Sequence, residues 1–233
     1  MRYHIDTIPV WDAFKEGGEC PLCSLRMKNE QDYLESFLGA SVMEPDTRVE
    51  VNAKGFCSRH FSQMFVMKNR LGLSLMTHTH LKETMQNLSK PEPNRRSIFK
   101  RREVSKLSEG SCILCERLDY TMDRYAYTVL HLWKTDVEFR KKLESSMGLC
   151  LPHYHQLMKM ASEELSEKEA EAFMSMLEKL EMENLERIEK ELEWFTLKFD
   201  YRNADKPWGN SKDAPERAIN KLRGRCVGET ENK

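Results

Sequence analysis

Gly55-Phe56-Cys57-Ser58-Arg59-His60 returns 93 residues later as Gly148-Leu149-Cys150-Leu151-Pro152-His153. Each CxxH is preceded by a CxxC: 33 residues separate Cys20-Pro21-Leu22-Cys23 from Cys57, and 34 separate Cys112-Ile113-Leu114-Cys115 from Cys150. The match reaches beyond the ligand types. Phe61 aligns with Tyr154, Met64 with Leu157, Met67 with Met160, and Tyr33 with Tyr125. Apolar residues at +4, +7 and +10 from Cys57 and Cys150 fall on one helical face, so the pattern reads as a duplicated helical unit.

Composition agrees with helices. The 233 residues include 25 Leu and 14 Met against 9 Val and 6 Ile, a bias toward unbranched side chains that keep rotamer freedom in a helix. The expected fold is all-α: two pseudo-symmetric helical repeats each stapled by a Cys3His metal site, plus a long C-terminal helix and a docking tail. Residues 1–90 would form the first repeat, 91–110 a basic linker and 111–165 the second repeat. Residues 166–233 would supply the long helix and tail, packed with the repeats as one globular unit. The spacing predicts helices over 24–42 and 116–134 after the CxxC turns, an irregular approach to Gly55 and Gly148, then helices over 58–88 and 151–163. Ser166 followed by Glu169 is a capping box opening a helix over 167–199, and a short helix is expected at 214–222.

Two Cys at CxxC spacing can face one ion from a tight turn, and Cys and His at i and i+3 are neighbours on a helix. The metal ligands are therefore Cys20, Cys23, Cys57 and His60, with Cys112, Cys115, Cys150 and His153. Three thiolates and an imidazole suit tetrahedral zinc, giving two zinc ions per chain. An iron–sulfur cluster or a thiol redox role is the alternative reading of the same residues. Spacing leaves open whether ligands pair within each copy or across copies. Pairing within a copy is the simpler arrangement, since it closes one supersecondary unit. Four protein ligands leave no open position, which points to structural rather than catalytic metal.

The runs CPLCSL, GFCSRHF, CILCERLDYTMDRY, GLCLPHY and ELEWFTLKFDYRNADKPWGNSKDAPERA together resemble an uncharacterised bacterial family, the domain of unknown function 6062. The resemblance spans nearly the whole chain. It implies a cytoplasmic bacterial protein and carries no activity with it.

Other features set the outer limits. A formal charge of −1 excludes bulk attraction to nucleic acid as the organising principle, although 94–106 holds six basic residues and one acidic. Residues 163–193 hold twelve acidic and four basic side chains. The expected partner is a macromolecule, a protein in preference to nucleic acid, met through the acidic helix, the 94–106 stretch or the Trp208 loop. There is no run of 18 apolar residues to span a membrane and no signal-peptide pattern, so the expected location is the cytoplasm, with reduced Cys. His78, His80 and His155 are read as surface or satisfied histidines, and Cys226 as a free thiol. Arg202, Asp205, Trp208 and Lys212 form a candidate binding loop, with a docking strap as the favoured reading. No catalytic triad or phosphate loop is recognisable, which leans the reading away from an enzyme.

Overall fold

Proline and glycine punctuate the chain into helices. The computed structural model describes residues 6–89 and 111–228, and among these ten α-helices and no strand occur. They are α1 (Thr7–Glu16), α2 (Pro21–Leu38), α3 (Pro45–Lys54), α4 (Ser58–Val66), α5 (Arg70–Ser89), α6 (Ile113–Thr135), α7 (Val137–Glu144), α8 (Leu151–Glu164), α9 (Glu167–Leu197) and α10 (Ala214–Arg223). Pro45 and Pro152 stand in first turns, where a missing N–H costs nothing, and Gly17 and Gly55 end α1 and α3 at positive φ. The capping box at the start of α9 forms as expected, the Glu169 carboxylate accepting the Ser166 N–H at 3.2 Å.

Three local expectations need correction. The approaches to Gly55 and Gly148 are helical: Pro45 opens α3, and Asp136 caps α7 by accepting the N–H groups of Glu138 (2.9 Å) and Phe139 (3.1 Å). The helix expected over 58–88 is two. It breaks after Val66, Lys68 turns to φ +67°, and Asn69 accepts the Gly72 N–H while donating to the Leu38 carbonyl. An N-terminal helix, α1, precedes the first CxxC. The 94–106 stretch lies outside the described residues.

The chain divides into two units, one made of 1–27 and 122–233, the other of 28–121. The divisions fall inside α2 and α6. In the 28–121 unit, Leu34, Phe37, Val51, Phe56, Met64, Met76 and Ile113 are the heart of an apolar core, with Phe56 edge-on to both Phe37 and Phe61. Here α3 packs on α5 and α4 on α5. In the other unit α8, α9 and α10 pack mutually, and α7 packs against α1 and α9. Phe139 of α7 is fully buried with its ring edge against Trp11 and Phe14, while Trp133 of α6 meets Phe173 of α9 at 5.1 Å.

One buried ion pair stands out in the unit made of 1–27 and 122–233. Glu181 of α9 and Lys221 of α10 are 3% and 1% exposed and form an ion pair at 3.3 Å. Lys221 Nζ donates to the carbonyl of Met147 (2.6 Å) and reaches that of Glu19 (3.4 Å). Glu181 accepts the Leu149 N–H at 2.9 Å. The pair thus ties two helices to the loops that carry Cys20 and Cys150.

Removing one member strands a buried charge. Lys221→Met should cost about 3–5 kcal/mol in denaturant unfolding, and the double variant Glu181→Leu/Lys221→Met should recover much of that loss. Gly148 sits at φ +72°, and a Cβ there would lie 2.6 Å from Glu181 Oε2 and 3.1 Å from Lys221 Nζ. Gly148→Ala should therefore lower stability by about 1–3 kcal/mol in the same measurement.

Candidate metal centres

The CxxC turns precede or open α2 and α6, and the CxxH turns open α4 and α8. Cys57 and Cys150 are the residues immediately before their helices and have nearly the same extended backbone, φ/ψ −71°/165° and −75°/154°. His60 and His153 follow one turn inside and are both buried. Gly55 is needed for the same reasons as Gly148: its φ is +65° and a Cβ would meet His80 Nε2 at 2.7 Å.

Two closed quartets result. In one, Cys20, Cys23, Cys150 and His153 converge; in the other, Cys57, His60, Cys112 and Cys115 converge. Pairing within each copy, the simpler arrangement, is thereby corrected: each CxxC meets the CxxH of the other copy. Local hydrogen bonds seat the loops together. Ile113 N–H donates to the Gly55 carbonyl (3.1 Å) and the Ser111 hydroxyl to that of Lys54 (2.9 Å), while Lys221 gathers the carbonyls of Glu19 and Met147.

In the first quartet Cys150 Sγ lies 3.7 Å from Cys20 Sγ and 3.5 Å from Cys23 Sγ. His153 Nδ1 is 3.1–3.5 Å from the three sulfurs. In the second, Cys57 and Cys115 sulfurs are 3.9 Å apart, and His60 Nδ1 is 3.2, 3.2 and 3.5 Å from Cys57, Cys112 and Cys115. A tetrahedron with zinc–sulfur bonds of about 2.3 Å and zinc–nitrogen bonds of about 2.0–2.1 Å has edges of roughly 3.8 and 3.5 Å. The residues fit a single four-coordinate ion, and both groups can hold a metal.

Crowding of the donors governs their ionisation. Burial, then the neighbouring Cys150 and Cys23, pushes Cys20 well up, whereas hydrogen bonds from Cys150 and Cys20 hold Cys23 far below its ordinary value. Cys150 is pushed to about 12: contact with Cys20 lowers it, but Cys23 and burial prevail. In the second quartet burial and then Cys112 push Cys115 to about 12. Burial opposes ionisation of Cys112, yet His60 and the backbone N–H groups of Cys115 and Cys57 bring it to about 6. His60 is raised to about 9 by Cys112 and Glu30, against burial.

Sequence reading missed the carboxylate beside the second quartet. Glu30 Oε1 lies 2.9 Å from His60 Nε2 and also pairs with Arg59. Burial opposes its ionisation, and His60 and Arg59 together hold it below the ordinary carboxylate value. On the first quartet, a cavity of about 320 Å³ is lined by Cys20, Cys23, Arg217, Lys221 and Arg225. Arg217 is engaged there by Glu19 and Glu191.

The remaining candidates stand elsewhere. His80 Nδ1 is 2.9 Å from the Asn52 carbonyl, His78 and His155 are exposed, and Cys226 is an exposed free thiol. In the 200–213 loop Arg202 pairs with Asp200 at 2.6 Å, and half-buried Trp208 packs on Phe195. Buried Lys198 donates to the carbonyls of Asn203, Ala204 and Lys206. Asp205 and Lys212 are exposed.

No helix of the described residues is long and apolar enough to cross a membrane. No solved structure matches the chain. It is 22% identical over 192 residues, 82% of its length and 87% of the other's, to the "Uncharacterized 23.9 kDa protein in xynA 3'region" of Caldicellulosiruptor sp. (strain Rt8B.4). With residues 1–229 matched by the model of the family of unknown function DUF6062, carrying both quartets within them, the chain belongs to that family.

Proposed function

We propose that the protein is a zinc-stapled helical scaffold, with two structural Cys3His ions and no catalytic metal. The single observation that carries this reading is the convergence of both quartets: in each, all four donor atoms lie within 4.8 Å of one another, with three sulfur–sulfur separations of 3.5–3.9 Å. Catalytic zinc keeps three protein ligands and a water, whereas a closed thiolate-rich tetrahedron contributes its binding energy to the fold. The same short edges weigh against an iron–sulfur cluster, whose polynuclear core needs its ligand sulfurs further apart. All seven Cys are free, which suits a reducing compartment such as the cytoplasm.

Such a scaffold would serve by presenting surface to a protein partner. The exposed side of α9 supports this, since Glu167, Glu171, Glu178, Glu183, Glu186 and Glu189 are all exposed along one helix. A basic protein surface is the complement it offers.

Metal analysis of the purified chain should find about two zinc per molecule and no visible absorbance. A brown protein containing iron and acid-labile sulfide would overturn the zinc reading. Ligand pairing can be read from stoichiometry: Cys20→Ser/Cys150→Ser should leave one ion, and Cys20→Ser/Cys57→Ser should leave none. If the first double variant instead lost both ions with the fold intact, the crossed pairing would be wrong. Because bound thiolates must stay deprotonated, acid should release zinc, and chelation at neutral pH should lower the melting temperature by many degrees.

A further inference from the structure

The two quartets share their donor set but not the groups behind it. His60 is wholly buried, and its Nε2, the nitrogen turned away from the thiols, meets Glu30 Oε1 at 2.9 Å. The Glu30 side chain is only 13% exposed, and Arg59, the neighbour of His60 in α4, pairs with the same oxygen. Glu30 belongs to α2, which supplies no ligand to this quartet. Among the described residues nothing bonds the corresponding nitrogen of His153. Seven residues after Cys23 stands Glu30; seven after Cys115 stands Met122, which is buried and has no acceptor of comparable strength.

We infer that Glu30 is the positioning residue of the Cys57–His60–Cys112–Cys115 centre. It accepts the Nε2–H of His60, fixes the tautomer that leaves the Nδ1 lone pair facing the thiols, and makes this centre the tighter of two chemically similar sites. The physical ground is general: a histidine ligand whose outer N–H is held by a carboxylate is fixed in orientation and is a more basic donor. Losing such a partner typically weakens metal affinity about 10–100-fold. The inference rests on the zinc-scaffold reading and assigns an inequality within it.

The test is competition between the full-length protein and a chromophoric chelator, with zinc and separately with cobalt, whose spectrum reports each thiolate site. Wild type should give up its two ions in two separable steps. Glu30→Ala should weaken the tighter step about 10–100-fold and leave the other in place, which serves as the control for global unfolding. Glu30→Gln, which retains an acceptor oxygen, should restore part of the loss, and the cobalt bands of only one site should shift. If Glu30→Ala left both affinities within twofold of wild type, or weakened both equally, the assignment would fall alone. A wild-type chain that takes up no ion would overturn the scaffold reading and this assignment together.

Discussion

Three sulfurs gathered with one ring nitrogen, all donor atoms within 4.8 Å of one another in a largely buried pocket, cannot all become thiolates unopposed. Like charges at such separations repel strongly where water is excluded, so each thiolate raises the cost of the next. A divalent cation at the centre changes the balance, because each donor then faces an opposite charge nearer than its neighbours are. Both ends of the helical architecture answer to this constraint. The helices that open at Cys57 and Cys150 turn partial positive charge toward the thiols, and the glycines ahead of them let the backbone pass where a side chain would collide with His80 or with Glu181.

The two centres solve the positioning problem differently. Around Cys20 and Cys150 the loops are fastened by a buried ion pair, Glu181 with Lys221, brought from the C-terminal helices. Around Cys57 and Cys112 they are fastened by backbone contact between Gly55 and Ile113, with Glu30 holding the imidazole from behind. The segment after Asp200 closes on itself through Lys198 and Trp208, so its charged side chains are largely engaged locally.

Which eight Cys and His side chains come together was legible because CxxC and CxxH spacings turn each pair of side chains the same way. Helix class was legible for a similar reason, as Leu and Met dominate the apolar positions. The pairing of donors was not, because CxxC and CxxH spacings are the same whichever partner they meet. The helix break at Lys68 was hidden because the apolar positions run on without a proline, and an asparagine capping α5 is a weak signal. Glu30, Glu181 and Lys221 sit among charged residues on amphipathic helices, and nothing in the local pattern marks these three as turned inward.

The ligands are nested along the chain: Cys20 and Cys23 come first, Cys57 to Cys115 lie inside, and His153 comes last. During synthesis the inner quartet is complete once residue 115 has emerged from the ribosome. The outer one must wait for residue 153, a delay of several seconds at roughly 5–20 residues per second. Through that interval the two earliest cysteines, made before all the others, have no lasting partners. The order of synthesis makes the middle quartet available first and the outer one last.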